Sequence, residues 1–260
     1  MSEANNEGNT GSVSPAREEP NHLRRAIIIW VVLSVIGIAL VIVLAQFILP
    51  PTASELGNTD NFTLTLLTAL AVPVALFVFV FLAYSMLVFR VKEKPTQDAV
   101  PLKPRPSLPI VWMGITGALC LFLVIYGLFA FYQETSASST NTLVVKVTAQ
   151  QWQWSFDYPQ NGASSAGAQL IELPVNRPVQ FNVTSDDVLH GFAILALGVR
   201  VDANPGEVTT TAIVTPTVIG SYTVVCVELC GLFHSYMWEQ VKVVSVADFN
   251  SWITSQGGHP

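Results

Sequence analysis

The sequence predicts a membrane-anchored, all-β protein in which N-terminal transmembrane helices are followed by a β-sandwich or barrel. Two observations support this fold class. Three long apolar runs fill the first half of the chain, and short alternating runs rich in valine and aromatic residues fill residues 143–246. The composition agrees, because only 12% of the 260 residues are charged, about half the fraction in an average soluble domain.

Each apolar run is long enough to cross a membrane, which takes about 20 residues. The runs cover residues 26–49, 64–89 and 110–132. We interpret the last two as a transmembrane hairpin over residues 62–132, and residues 24–50 as a first transmembrane helix or signal anchor. The first run exceeds the roughly 7–15 apolar residues of a cleaved signal peptide, which favours a retained helix. Small residues at 52–54 keep cleavage open.

Loop charges predict the orientation of these helices. The loop after the first run has no lysine or arginine, whereas basic residues precede that run and follow the second: Arg17, Arg24, Arg25, Arg90, Lys92, Lys94, Lys103 and Arg105. Residues 1–23 are polar and are expected to be disordered, because they cannot bury enough apolar surface to fold alone. Because basic loops stay in the cytoplasm, this tail is expected on the cytoplasmic side. Everything after residue 132 is then expected outside, whether or not the first run is cleaved.

The second half of the chain is predicted to form a small antiparallel β domain over residues 143–246, followed by a C-terminal segment, 247–260. A short helix is expected to begin near Asp248 in that segment. From Glu134 onward there are ten acidic and four basic residues. This acidic surface either attracts a cationic partner or only keeps the domain soluble. No basic patch is available to neutralise phosphates, so nucleic acid is not an expected partner.

One segment of the β domain concentrates metal-ligand side chains. Residues 226–237 read CVELCGLFHSYM and hold two of the three cysteines in the chain. Cys226 and Cys230 alone are compatible with a disulfide, a zinc site or a copper site. Met237 favours copper, because a thioether is a soft, weak ligand that suits copper. One copper needs one thiolate, so two thiolates indicate two metals with shared sulfurs.

Such a copper site needs a second imidazole in addition to His234. Of the three other histidines, His22 lies in the predicted tail and His259 is the penultimate residue. We interpret both as solvated. His190 begins a β-type run and is therefore the candidate that completes the site.

The two segments DVLHGFAILALGVRVDANPG (187–206) and CVELCGLFHSYM resemble subunit II of the haem–copper cytochrome c oxidases. The resemblance covers roughly residues 62–246 and implies a cupredoxin-like domain with a dinuclear CuA centre. By this resemblance, Cys226 and Cys230 bridge two coppers, and His190 and His234 each give one nitrogen. Met237 is then the weak axial ligand of one copper. The Glu228 carbonyl serves the other, and the Glu228 side chain reaches a magnesium ion at the interface with the catalytic subunit.

The resemblance also implies a place where electrons enter and the partners of the chain. QQWQWSFDY (150–158) is similar to the aromatic motif of the family, whose first tryptophan, here Trp152, accepts electrons beneath a docked cytochrome c. The alternative is that Trp152 only packs. Asp186 and Asp187 either belong to a donor-docking face or are simply solvated. The implied partners are subunit I, the other oxidase subunits, cytochrome c or a similar carrier, and the membrane.

The function implied is an electron-transfer subunit of a terminal oxidase in a bacterial plasma membrane, with its copper domain on the outer face. The same copper module in another respiratory reductase, and a non-redox β domain with a Cys226–Cys230 disulfide, remain alternatives. The sequence also departs from the family. Pro109 stands where a glutamate is usual, Glu207 follows Pro-Gly where arginine is frequent, and the first apolar run is additional. No C-x-x-C-H follows the domain, so no fused haem c is expected.

Overall fold

The computed structural model describes residues 21–90, 106–135, 141–165 and 170–260. Within these ranges, three long helices precede ten short strands and a fourth helix, which confirms the predicted fold class. Most of the predicted tail and of the basic loop after the second run lie outside the described residues. So do residues 136–140 and 166–169.

The three N-terminal helices are α1 (His22–Ile48), α2 (Glu55–Val88) and α3 (Ser107–Thr135). All three are long and apolar enough to cross a membrane. Helix α2 begins well before its apolar run, because the Ser54 hydroxyl accepts a hydrogen bond from the Gly57 N–H and caps the helix.

Helices α1 and α2 pack closely against each other. The Trp30 indole N–H donates to the Pro73 carbonyl at 2.8 Å. At Gly37, an added Cβ would lie 2.7 Å from Val72 Cγ1, so the absence of a side chain lets the helices approach. Small residues at helix contacts are typical of membrane helix pairs, where van der Waals packing drives association. These contacts fit α1 as a lasting partner of α2.

His22 also belongs to this helix pair. Its Nδ1 lies 3.0 Å from the Tyr84 hydroxyl, and its ring meets Phe89 edge-on with centroids 5.2 Å apart. The expectation of a solvated histidine in a disordered tail was therefore wrong for this residue. It lies in the first turn of α1 and far along the chain from the metal-ligand segment.

Helix α3 makes much less contact with the rest of the chain. Its half-covered positions follow a helical stripe, Thr116, Leu119, Tyr126 and Ala130, and the Tyr126 hydroxyl lies 2.7 Å from the Thr63 hydroxyl of α2. Most other α3 side chains are exposed, including Cys120, whose apolar neighbours predict burial. In a membrane protein such a surface faces lipid or another subunit.

The β domain contains two five-stranded sheets and the helix α4 (Val246–Ser255), which begins near Asp248 as predicted and is capped by Ser245. The strand order is β3-β2-β1-β5-β8 in the first sheet and β4-β10-β9-β6-β7 in the second. The strands are β1 (Leu143–Gln150), β2 (Gln153–Tyr158), β3 (Ala163–Ser164), β4 (Leu170–Pro174), β5 (Val179–Ser185), β6 (His190–Ile194), β7 (Val199–Ala203), β8 (Thr209–Thr210), β9 (Gly220–Cys226) and β10 (Trp238–Val244).

Both sheets are mixed, so the expectation of a purely antiparallel domain was wrong. Strand β1 pairs in parallel with β5, and β10 pairs in parallel with β4. The chain crosses from one sheet to the other between β4 and β5, and strands joined by such a crossover need not run antiparallel to their neighbours. Turn signals in the sequence mark where strands end but not which strands become neighbours.

Aromatic side chains from both sheets form the core. Phe192 of β6 packs against Trp154 and Phe181 of the first sheet, with ring centroids 5.4 and 5.3 Å away. Trp154, Phe156 and Tyr158 alternate along β2 and are all fully buried, as the period of two predicts. Each such side chain contributes about 1.5–3 kcal/mol by burial. Trp152 does not continue the alternation, because it lies in the turn between β1 and β2.

The β domain is attached directly to the start of α2. The Ser54 hydroxyl donates to the Leu197 carbonyl at 2.7 Å, and the Ala53 N–H donates to the Ala196 carbonyl at 2.6 Å. At Gly57, an added Cβ would lie 2.7 Å from the Ala196 carbonyl oxygen, so glycine permits this approach. Residues 195–197 follow β6 immediately. The strand that begins at His190 is therefore anchored to the membrane helices.

We predict that Gly37→Leu destabilises the helix pair by about 1–3 kcal/mol, because the new side chain overlaps Val72. The measurement is thermal unfolding of the full chain in detergent. Gly117→Leu is the matched control, since nothing lies within 4 Å of a Cβ at Gly117 on α3. Equal loss of stability in both variants would show that α1 and α2 do not pack as described.

Candidate metal centre

The candidate ligands meet at one end of the second sheet. Strand β9 ends at Cys226, and the adjacent strand β6 begins at His190. The two strands are antiparallel, with Phe192 opposite Cys226, so His190 and Cys226 lie at the same sheet edge. The loop after β9 is closed by hydrogen bonds from the Cys226 N–H to the Met237 carbonyl, 3.0 Å, and from the Val227 N–H to the Gly191 carbonyl, 2.9 Å.

The structure brings the donor atoms of all six predicted ligands together. The Cys226 and Cys230 Sγ atoms are 3.7 Å apart. His190 Nδ1 lies 3.9 Å from Cys226 Sγ, and His234 Nδ1 lies 3.5 Å from Cys230 Sγ. Met237 Sδ is 3.8 Å from Cys230 Sγ, and the Glu228 carbonyl oxygen is 3.2 Å from Cys226 Sγ. The two thiols thus occupy the centre, with one further pair of donors on either side.

This geometry fits metal binding better than a disulfide. Both thiols are free, and their separation far exceeds the roughly 2.05 Å of an S–S bond. Two sulfurs that each bind a shared metal at about 2.3 Å lie this far apart when the S–metal–S angle is near tetrahedral. The donor atoms of His190, Cys226 and Cys230 all lie within 4.8 Å of one another. Two thiols, two imidazoles and a thioether form a soft set that suits copper.

Burial gives the site its electrostatic character. His190 is 0% exposed, Met237 1% and Cys230 3%. Burial, together with the hydrogen bond and charge of Cys226, raises the pKa of the Cys230 thiol to about 12. The metal-free thiol therefore stays protonated at neutral pH. A bound cation that displaces the proton supplies the charge that stabilises the thiolate.

Asp187 orients the His190 ring. Its Oδ1 lies 2.9 Å from His190 Nε2, which leaves Nδ1 to face the thiols. Burial acts to raise the pKa of Asp187, but hydrogen bonds from His190, the Gln151 N–H and the Val188 N–H outweigh it and hold the pKa at about 2. Asp187 is therefore a hydrogen-bond partner of His190, a role that neither sequence interpretation includes, and it remains exposed. Its neighbour Asp186 is exposed.

Sequence reasoning missed several supporting residues. We call residues 227–237, which join β9 to β10, the ligand loop. The Gln151 side-chain amide donates a hydrogen bond to the Cys230 carbonyl at 2.8 Å and so links the β1–β2 turn to this loop. At Gly191, an added Cβ would lie 2.6 Å from Val227 Cγ2 and 2.9 Å from the Glu228 N, so only glycine fits beneath the loop. A histidine three residues after an aspartate is a weak signal for the Asp187 contact. No local signal identifies Gln151.

Glu239 is a buried carboxyl directly behind the ligand loop. One oxygen accepts a hydrogen bond from the Trp154 N–H at 3.2 Å, and the other has no partner among the described residues. Burial raises the pKa of Glu239 to about 7, although the hydrogen bond from Trp154 acts to lower it. The alternation of β10 predicts an inward-facing side chain at Glu239. Sequence reasoning does not expect a carboxylate there, because burying a charged group is costly.

Glu228 and Trp152 lie at the edge of the site. The Glu228 side chain points outward and lies 4.0 Å from the exposed Arg200 guanidinium, while its carbonyl faces Cys226. The Trp152 ring meets Phe233 edge-on, with centroids 4.8 Å apart. A Cβ at Gly231 would lie 3.3 Å from Trp152 Cζ2. Trp152 is therefore packed on the ligand loop without being a ligand.

Comparison with known proteins identifies the family. A family model for the periplasmic domain of cytochrome c oxidase subunit II matches residues 165–244, which include all six candidate ligands. The protein named "Probable cytochrome c oxidase subunit 2" in Rickettsia prowazekii is 31% identical over 224 residues, which cover 78% of this chain and 68% of that protein. The chain belongs to the cytochrome c oxidase subunit II family.

Other relatives bear the same name. Cytochrome c oxidase subunit 2 of Thermostichus vulcanus is 28% identical over 260 residues and covers 79% of this chain and 77% of that protein. The crystal structure of the periplasmic domain of subunit II from Bradyrhizobium japonicum has 32% identity, a TM-score of 0.41, and coverage of 44% of this chain and 93% of that one.

Membership of this family assigns the function in general terms. The subunit II chain is an electron-transfer component of a respiratory oxidase. Three apolar helices anchor it, and its β domain corresponds to the outer-face domain of the family. The cluster of His190, Cys226 and Cys230 is a candidate copper site.

We predict that Asp187→Ala weakens copper binding by about 10–100-fold, because the His190 ring loses the hydrogen bond that fixes its orientation. Copper affinity is measured by competition with a chelator on the full chain in detergent. Asp186→Ala is the control, since the hydrogen bond to the His190 ring comes from Asp187 and not from its neighbour Asp186. If both variants bind copper as tightly as the parent chain, Asp187 does not support the site.

Proposed function

We propose that this subunit II carries a dinuclear CuA centre, which accepts electrons from cytochrome c or a similar carrier and delivers them to the haem–copper catalytic subunit. One observation supports the proposal above all others. Two buried thiols lie 3.7 Å apart, with further donor atoms at 3.2–3.9 Å from them on either side. A single copper site needs one thiolate, so this arrangement suits two metals with shared sulfurs.

Each ligand has a place in this proposal. Cys226 and Cys230 would hold both coppers through their thiolates. His190 and His234 each bind one copper through Nδ1, the nitrogen that faces the thiols. Met237 and the Glu228 carbonyl are the remaining weak ligands. When bound, copper in this set supplies a one-electron couple, because thiolates stabilise Cu(I) and imidazoles accept Cu(II).

The chain itself holds the proposed ligands in place and shields most of them from water. The ligands are held by the β6–β9 pairing, by the closed loop and by the Asp187 contact. Side chains that are fixed by packing move little when the charge of the site changes, which favours rapid electron exchange. His234 is half-buried and marks the side on which the centre approaches solvent.

We also propose a magnesium ion at the Glu228 side chain, at the interface with the catalytic subunit. The carboxylate is partly exposed and points away from the thiols, as a shared ligand would. Carboxylate oxygen is the type of ligand that magnesium prefers. Pro109, in the first turn of α3, and Glu207 are both exposed. Both are available to contact the partner subunits. We propose that Pro109 changes the proton route and Glu207 the contacts near the haem, relative to the family.

Trp152 is the proposed acceptor of electrons. It lies against Phe233 of the ligand loop, and Gln151 links its turn to the Cys230 carbonyl. The indole is thus in contact with the loop that carries the proposed copper ligands. Trp152 lies outside the buried aromatic row of β2 and packs at the edge of the core, where its indole is only partly covered.

The proposed setting is a bacterial plasma membrane, crossed several times. The residues before α1 form a cytoplasmic tail, α1 is a retained helix, residues 62–132 form the hairpin, 143–246 the cupredoxin-like CuA domain and 247–260 a C-terminal segment. The contacts of Trp30 and Gly37 with α2 support retention over cleavage. The exposed faces of α3 support packing against subunit I and other oxidase subunits.

Copper loading tests the centre. The full chain in detergent is expected to bind about two coppers, with an electron paramagnetic resonance spectrum of one electron shared over both. Cys226→Ser and Cys230→Ser are each expected to abolish this spectrum, and His190→Ala to disrupt it. Cys120→Ser is the matched control, because this third cysteine is exposed on α3 and is expected to leave both readouts unchanged. One copper, zinc alone, or a Cys226–Cys230 disulfide would contradict the proposal.

Trp152→Phe tests the path of electrons. We expect the rate of reduction by cytochrome c to fall about tenfold or more, since the indole is lost at the contact, while reduction by ascorbate is unchanged. Trp252→Phe is the control. Trp252 lies on α4 and packs against Tyr158 of β2, away from the ligand loop. Unchanged reduction by cytochrome c in the Trp152 variant would remove Trp152 from the path and leave the copper assignment intact.

A further inference from the structure

The β domain has two ends along strand β9, and the candidate metal ligands lie at one of them. Strand β9 begins at Gly220 and ends at Cys226, and a strand of this length spans about 20 Å. The chain just before β9 is bonded to the connection between α1 and α2, because the Thr217 N–H donates to the Ala53 carbonyl at 2.7 Å. We call residues 215–219 the anchored loop. It lies at the end of β9 opposite the ligand loop.

The anchored loop lies close to the point where α2 and α3 reach the outer face of the membrane. Thr215 and Thr217 line a cavity of about 500 Å³ together with Thr63 of α2 and Ala130 of α3. Thr63 directly precedes the apolar run of α2, and Ala130 belongs to the last turn of the apolar run of α3. Each headgroup layer of a bilayer is about 5–8 Å thick. The anchored loop therefore lies at the level of the outer headgroups.

Two adjacent apolar side chains form the tip of the anchored loop. Val218 is 49% exposed and Ile219 61%. The loop is fixed from two sides. The Asn176 N–H donates to the Pro216 carbonyl at 2.7 Å, and the Tyr222 hydroxyl donates to the Val218 carbonyl at 3.0 Å. Apolar surface that the fold itself keeps exposed marks contact with a protein or a membrane.

A basic side chain accompanies the exposed tip. Arg177 follows Asn176, whose N–H is bonded to the anchored loop, and it is one of only four basic residues after Glu134. Among the described residues it has no salt-bridge partner, and its buried Nε has no hydrogen-bond partner. The same part of the chain contains ten acidic residues. A guanidinium that is not paired with any of them is available to an anion such as phosphate.

We propose that the anchored loop contacts the outer surface of the membrane, with Val218 and Ile219 inserted among the headgroups and Arg177 against a phospholipid phosphate. An apolar tip beside a basic side chain is the combination that binds membrane interfaces. The inference rests on the proposed function in one respect. Electrons pass to the catalytic subunit only if the ligand loop faces that subunit, which leaves the opposite end of the domain over lipid.

This contact gives the β domain a third attachment at the membrane. The start of α2 is the first, through the hydrogen bond from Ser54 to Leu197. Strand β1, which follows α3, is the second, and its Leu143 N–H donates to the Pro178 carbonyl at 2.8 Å, beside Arg177. Contact of the anchored loop with lipid opposes tilting of the domain about these two connections. Such tilting would move the ligand loop relative to the membrane.

The test uses the assembled oxidase in its native membrane, with photoreactive benzoylphenylalanine in place of Ile219. On irradiation we expect this chain to gain the mass of one phospholipid, measured by mass spectrometry of the purified subunit. The same probe in place of Leu232 is the matched control, because Leu232 is also apolar and is 82% exposed, but lies on the ligand loop. It is expected to yield no lipid adduct. Both side chains are exposed, so neither change should disturb folding.

The role of Arg177 is tested in the same experiment. Arg177→Gln, combined with the probe at position 219, is expected to lower the yield of the lipid adduct several-fold, because a cationic contact with phosphate is lost. Lys146→Gln is the control, since it removes one positive charge from an exposed position on β1, and it is expected to leave the yield unchanged. Equal yields in the two variants would exclude Arg177 from the contact and contradict the proposal.

Other outcomes separate this inference from the proposed function. A cross-link from position 219 to another oxidase subunit, or the absence of a lipid adduct there, would overturn the membrane contact. Neither result involves copper, so the CuA assignment would stand on its own test by copper loading. A lipid adduct at position 232 instead would show that the ligand loop faces the membrane, which contradicts both the membrane contact and the proposed delivery of electrons.

Discussion

The pairing of β6 with β9 is the constraint on which the rest of this structure depends. It sets Phe192 opposite Cys226, and so places His190 beside a loop that lies 36 residues further along the chain. The same pairing buries Phe192 among the aromatic residues of the other sheet. Core packing and ligand geometry therefore share one register. A slip by one residue would turn Phe192 outward and remove His190 from the thiols together.

The site is also tied mechanically to the membrane. Strand β6 continues into residues 195–197, whose carbonyls receive hydrogen bonds from Ala53 and Ser54 at the start of α2. Gly57 permits the close approach of the two parts. An electron-transfer subunit gains from this arrangement, because backbone contacts set the distance between the candidate metal ligands and the membrane helices of this chain. Flexible linkers would leave that distance variable.

The ligand loop serves two environments at once. Its inner side chains, such as Cys230 and Met237, are buried against the core, whereas Leu232 and Tyr236 face water. Asp187 and Gln151 fix the inner side through hydrogen bonds to His190 and to the Cys230 carbonyl. The outer side is therefore free to differ in chemistry without moving the candidate ligands.

The sequence by itself determined the class of the protein and its candidate metal ligands. Long apolar runs, a period of two in β2 and the spacing of Cys226, Cys230, His234 and Met237 are local features, and local features are readable from neighbouring residues. The parallel pairs, the turn that takes Trp152 out of its row, and the contact of His22 with Tyr84 arise between distant segments. Only the tertiary structure decided these, and likewise that Asp187 supports His190. Contacts across many residues depend on how whole elements pack, and no short stretch of sequence encodes that packing.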